Sequence, residues 1–209
     1  MQTLPKGWYN SSEIPSDNSV ISEILKCLSL LVLKKSKRDE NTKKVKSGLC
    51  TLGMKLKYSC YTNRLDSKRA EELSHIATEQ KVYFKNTEWL YDLIWYKECW
   101  DYTISELGLA VESEWQYHRN KETDRNNFYP AVRYDFQKLV IGTAKINLMI
   151  FKQPKSKASA TSTEELLKQF DYYVRQQLAK YQPKVSNRQF ICVAYKHDMK
   201  SYDYKIFES

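Results

Sequence analysis

Five residues in the middle of the chain are of types and spacings that could do chemistry: Asp92, Glu112, Glu114, Asp135 and Lys138. Asp92 lies in an apolar run between Tyr91 and Leu93. Glu112 and Glu114 follow inside LGLAVESEW. Read as a strand, that segment puts Glu112 and Glu114 on one face with Ala110 and Gly108. Leu107, Leu109, Val111, Ser113 and Trp115 then take the other face. Unpaired ionised carboxylates on apolar strands are expensive. A hard divalent cation such as Mg²⁺ or Mn²⁺ is one remedy, since it takes carboxylate and phosphate oxygens. It can activate water for in-line displacement at phosphorus. The plainer alternative is acids at solvated strand ends, or paired with Lys and Arg. Asp135 and Lys138 in YDFQKLVIG stand at i and i+3, on one helix face. Lys138 beside the acids offers a cation for a phosphate, a water or a transition-state charge. The alternatives are a surface lysine and, for Asp135, a surface acid paired with Arg133 or Lys138.

The elements that must position these residues are legible as patterns. Apolar spacing predicts a helix over Ser19–Lys35, with Ser16 or Asp17 as N-cap. A basic loop, 34–46, follows, and then a weaker helix over 47–57. A short strand at Tyr58–Thr62 precedes a polar, partly helical stretch at 66–80. Strands are expected at Val82–Phe84, Glu88–Tyr96, Leu107–Trp115 and Ile146–Phe151, with a helix over Pro130–Ala144. The stretch 117–127 reads as a loop and 152–162 as a linker. Ser162–Tyr181 is the clearest helix. Ser162 and Glu165 have capping-box spacing, and Leu166, Leu167, Phe170, Tyr173, Val174, Leu178 and Tyr181 line one face. Arg188–Tyr195 and Tyr202–Phe207 close the chain as strands. The sum is one α/β domain over 1–209 with a mixed central sheet flanked by helices. N-terminal helices occupy 16–62, the motif region 82–152, and a C-terminal helix and strands 162–209.

The 209 residues carry 34 Lys and Arg against 25 Asp and Glu, a net charge of +9. That balance favours a polyanionic partner. Residues 34–46 hold seven basic residues against two acids. Lys34, Lys35, Lys37, Arg38, Lys43 and Lys44 are therefore the candidate phosphate contacts, with a solvated loop as the alternative. Arg119, Lys121 and Arg125 are weaker candidates of the same kind, and His118, close in sequence to Glu114, is a candidate substrate contact. The 5 cysteines form no CxxC pair and the 3 histidines have no metal-ligand spacing, so a structural zinc site is not expected. Cys99 reads as core rather than nucleophile. No signal peptide or membrane-spanning run is visible, so reduced thiols in a cytoplasmic protein are expected. Phosphate-loop, dinucleotide and nucleophile-elbow strings are absent.

The segment EWLYDLIW…LAVESEW…YDFQKLV…INLMIF resembles the PD-(D/E)XK nuclease superfamily, the fold of many type II restriction endonucleases. It covers about residues 88–152. In that superfamily an Asp on one strand of a mixed sheet is followed by an acid-x-Lys on the next. Asp92 matches the first acid and Glu112 the second, while Glu114 stands where Lys is usual. Some restriction enzymes carry Glu-x-Glu there, and in other members the lysine migrates to the neighbouring helix, where Lys138 sits. The resemblance implies a restriction-endonuclease-like fold and a Mg²⁺- or Mn²⁺-dependent endonuclease acting on nucleic acid, DNA first. Asp92, Glu112 and Glu114 would be metal ligands. Glu114 could alternatively orient the attacking water, and Lys138 would stabilise charge or position that water. The resemblance also implies a helical Glu near the site, for which Glu23 is the candidate. Glu88 is a further acid in reach, and a homodimer is one way to cut two strands. The rival classes are a non-catalytic nucleic-acid- or protein-binding member of the same fold and a partner in a larger complex with a Tyr-rich interface.

Overall fold

In the computed structural model the described residues are 4–35, 37–87, 90–98, 103–115, 130–153, 162–181 and 187–208. The strands are β1 (Tyr9–Asn10), β2 (Ser59–Thr62), β3 (Phe84–Asn86), β4 (Leu93–Glu98), β5 (Ile104–Glu114), β6 (Ile146–Lys152), β7 (Gln189–Tyr195) and β8 (Tyr202–Glu208). The helices are α1 (Val20–Ser29), α2 (Arg38–Lys55), α3 (Ser67–Gln80), α4 (Pro130–Ile141) and α5 (Thr163–Lys180). All eight strands join one mixed sheet in the order β1-β8-β7-β6-β5-β4-β2-β3. Strands β2, β4 and β5 are successive antiparallel neighbours. Strands β5, β6 and β7 run parallel, because α4 and α5 return the chain across the sheet between them.

Two apolar layers enclose the sheet. Helices α1 to α3 cover one face through Ile24, Leu28, Leu49, Met54 and Leu73, which meet Trp95, Leu109, Val111 and Ile191. Helices α4 and α5 cover the other through Phe136, Leu139, Phe170 and Val174, which meet Ala110, Met149, Phe151 and Phe190. Alternation along β5 and β6 supplies residues to both layers. The chain is thus a single α/β domain with a mixed sheet between helices. Among the described residues no helix is long and apolar enough to cross a membrane.

Several element boundaries differ from expectation. Helix α1 stops at Ser29 because the next four residues alternate: Leu31 is partly buried and Leu33 buried, while Leu30 and Val32 face solvent. Its N-cap is Ser19, whose Oγ accepts from Ser22 N, and Asp17 braces both serines from behind. Residues 38–46 of the basic stretch are not loop, because α2 begins at Arg38. Asn41, Val45, Leu49 and Gly53 form a buried i, i+4 stripe, and most of the charges simply face outward. Gly53 is required where α2 crosses β4, since a Cβ there would stand 2.5 Å from Trp95 Nε1. Ahead of α1 the chain also joins the sheet, because β1 pairs with β8 at its edge.

On β5, Trp95 pairs with Leu109 and Tyr96 with Leu107, so Gly108 is bulged out. The bulge reverses the alternation expected below it. Gly108 faces Tyr58 in the α1–α3 layer, and Leu107 faces the other. Ala110 is therefore the one small residue before Glu112 on the acid face, and Leu107 takes the place expected for Gly108. Asp92 lies one residue before β4 rather than inside it, with its backbone N–H donating to Val111 O at 3.1 Å. Glu88, Cys99, the stretch 116–129 with His118, Arg119, Lys121 and Arg125, and most of the linker lie outside the described residues.

Candidate functional site

The carboxyl ends of β5, β6 and β7 and the amino end of β4 meet at one edge of the sheet, the end at which open α/β sheets bind ligands. Glu112 is near the end of β5, directed into the α4 layer and only 3% exposed. Lys138 comes down from α4. Its Nζ is 2.6 Å from Glu112 Oε1 and 2.9 Å from Asp135 Oδ1, so one ammonium bridges two carboxylates. Helix α4 can place it so because Val132, Phe136, Leu139 and Val140 pin the opposite stripe to the sheet. The buried Arg188 fixes the end of α4 by donating to Leu139 O and Val140 O at 2.7 and 2.9 Å. Tyr91 Oη donates to Lys138 O at 3.2 Å, and Gly142 leaves that ring its room.

Asp92 is held from the other side of the sheet. Its Oδ2 accepts from Ser113 N at 2.9 Å and Ser113 Oγ at 2.8 Å. Its Oδ1 lies 3.2 Å from Lys46 Nζ. Lys46 is buried on α2 and donates also to Asn63 O at 3.2 Å. Glu114 continues the Glu112 face, half-exposed at the strand end. Four acids thus share one electrostatic neighbourhood, since Glu112 feels Asp92 and Asp135, and Asp135 feels Glu114 and Asp92.

Burial, then repulsion from Asp92, pushes the Glu112 carboxyl up to about 8 against the pull of Lys138. Burial likewise raises Asp135, opposed by Lys138 and reinforced by Glu114 and Asp92. Burial opposes the charge on Lys138, yet the two carboxylates outweigh it and hold the ammonium above the ordinary lysine value. The folded Glu112 carboxyl therefore binds a proton more tightly than a free one, even with the Lys138 ammonium in contact with it.

Among the described residues no three Asp, Glu, His or Cys side chains lie close enough together to share a metal ion as arranged. The donor set nevertheless suits a hard cation, being carboxylate oxygen throughout. Glu112 Oε1 is buried, with Lys138 Nζ 2.6 Å away as its partner. Carboxylates gathered in one neighbourhood, with burial and repulsion raising Glu112, are a fit in chemistry for Mg²⁺ or Mn²⁺.

The structure brings together Asp92, Glu112, Glu114, Asp135 and Lys138 from the expected set. It does not bring in Glu23, which sits in the first turn of α1, 3.2 Å from Lys26 Nζ. That turn lines the cavity at the opposite end of the sheet, beside Ile146 and Gln189 at the starts of β6 and β7. Lys46 was not foreseen. It stands next to Val45 on the buried side of α2, and a lysine on an apolar stripe is the signal that would have found it. The basic run does reach the site. Trp115 Nε1 donates to Thr42 Oγ1 at 2.8 Å, and Lys152 Nζ to Lys35 O at 3.3 Å. Lys34, Lys35, Lys37 and Arg38 are exposed there. Lys43 lies 3.9 Å from Asp66, and Lys44 Nζ donates to Val32 O at 2.7 Å, so these two are partly engaged within the fold. No family model, no curated protein and no solved structure matches this chain.

Proposed function

We propose that the chain is a divalent-cation-dependent endonuclease with a restriction-endonuclease-like fold, hydrolysing phosphodiester bonds in nucleic acid, DNA first. The observation that carries the reading is the buried Glu112 among Asp92, Asp135 and Glu114, with two lysines beside them and a basic helix start at the same sheet edge. The order of the parts also supports it: an acid at the start of β4, a second acid on its neighbour β5, and a lysine on the next helix.

Asp92, Glu112 and Glu114 are the residues to hold Mg²⁺ or Mn²⁺. Such an ion supplies Lewis acidity toward the phosphate and an activated water. Ser113 and Lys46 keep the Asp92 carboxylate in one orientation. Asp135 aims Lys138 at the acid face, where its ammonium can stabilise charge that grows on a phosphate oxygen. The exposed Lys34, Lys35, Lys37 and Arg38 hold the backbone of the polyanion.

One observation favours a second reading, a non-catalytic binding protein of the same architecture. Lys46 and Lys138 pair with Asp92 and Glu112, so the fold itself supplies these acids with cations. Metal-dependent thermal stabilisation separates the two. The nuclease reading expects Mg²⁺ or Mn²⁺ to raise the melting temperature of the wild type but not of Glu112→Ala. Equal curves with and without metal would favour the binding protein.

A further inference from the structure

The segment Leu30–Lys35 between α1 and α2 carries the two most exposed large apolar side chains among the described residues, Leu30 at 80% and Val32 at 75%. They are not on a loose tether. Leu33 is buried and Leu31 packs against the core beneath α1 and α2, close over Gly48. Asn41 clamps Lys34 at both backbone atoms, accepting from its N–H at 2.8 Å and donating to its carbonyl at 2.7 Å. Lys44 Nζ holds Val32 O. The segment starts at the helical cap of α1 and forms a ridge, with Leu31 and Leu33 turned inward and Leu30 and Val32 outward.

The ridge's charge and place name its occupant. Lys34 and Lys35 adjoin it, and Lys37 and Arg38 follow at the start of α2, all four exposed. Tyr195 Oη donates to Leu28 O at 2.9 Å, and Lys152 Nζ to Lys35 O, which set the ridge over the ends of β7 and β6. Strand β6 is the neighbour of β5, which carries Glu112 and Glu114. Exposed cations following two exposed apolar side chains suit a duplex, whose phosphates flank its stacked bases. Apolar wedges of this kind enter the minor groove and part a base step.

We infer that Leu30 and Val32 form a wedge that unstacks duplex DNA beside the acid site. This rests on the nuclease reading for the identity of the polyanion. The wedge accounts for apolar tips that solvent alone would disfavour, and it bends the duplex so that more of the basic surface meets phosphate.

The test uses the full chain with a 25-base-pair duplex carrying 2-aminopurine, in chelator so that no strand is cut. Wild type should raise the 2-aminopurine fluorescence on binding. Leu30→Ser/Val32→Ser should bind the duplex about tenfold more weakly and lose the rise, keeping its salt dependence and its single-strand affinity. Leu30→Phe should keep the rise. Both positions are exposed, so the variants should fold, which circular dichroism checks. The inference falls if the double variant unstacks and binds the duplex like wild type. It also falls if wild type gives no rise, or if the ridge binds phosphatidylserine vesicles and not the duplex. Loss of metal-dependent cleavage in Glu112→Gln is read separately. A wedge signal without cleavage would leave this inference standing and overturn the nuclease.

Discussion

The proton on Glu112 predicts how the metal-free protein responds to pH. The carboxyl moves from its ordinary 4.5 to about 8 on folding, so the fold keeps a proton that the unfolded chain has already released. Unfolding then releases that proton. The associated stability is complete below about pH 4.5 and is lost as pH rises to about 8. At roughly 1.4 kcal/mol per pH unit, the loss attributable to Glu112 approaches ~5 kcal/mol. Little solvent screens the group, because it is 3% exposed. Facing it are Asp92 from the segment before β4, Asp135 and Lys138 from α4, and Tyr91, and all of these remain in Glu112→Gln. Urea unfolding of both proteins between pH 5 and 9, in chelator at fixed ionic strength, isolates the residue. The Gln variant should gain on wild type by about 1–1.4 kcal/mol for each pH unit up to 8. A difference that stays flat across that range, or a Glu112 Cδ resonance titrating near 4.5, would refute the reasoning.

Other outcomes follow from the same contacts. Lys46→Met strips Asp92 of its ammonium partner and should cost about 3 kcal/mol in urea unfolding, whereas Lys46→Arg should recover part of it. Lys138→Met should cost less, on the order of 1–2 kcal/mol, because Glu112 is free to stay protonated, yet it should abolish cleavage. Gly142→Ala puts a methyl group 2.2 Å from Tyr91 Oη and should cost roughly 1–3 kcal/mol while loosening the end of α4.

The layers and most elements could be read from the sequence because their apolar periods are clean. Leu167, Phe170 and Val174 announce α5, and the run Ile146–Phe151 announces β6. The start of α2 was hidden because seven basic residues over 34–46 mask the stripe of Asn41, Val45 and Leu49 beneath them. The same masking hid Lys46, whose role is decided by Asn63 and Asp92, each far along the chain from it. The bulge at Gly108 is a matter of register with β4, which no property of β5 alone reports. The acids fared better. Glu112, Asp135 and Lys138 were legible because polar residues on otherwise apolar elements stand out. Glu23 was misplaced because helix periodicity says which residues share a face but not which end of the sheet that face meets.

If this carboxylate cluster cuts nucleic acid, cleavage is the property to measure. Plasmid, linear duplex and single-stranded DNA would be incubated with Mg²⁺ or Mn²⁺ beside a chelated control, using wild type and Glu112→Gln with folding verified for each. The account predicts metal-dependent cleavage by wild type that falls by at least about a hundredfold in Glu112→Gln. Cleavage that survives Glu112→Gln, or no cleavage by folded wild type with either metal on any of the three substrates, would contradict it.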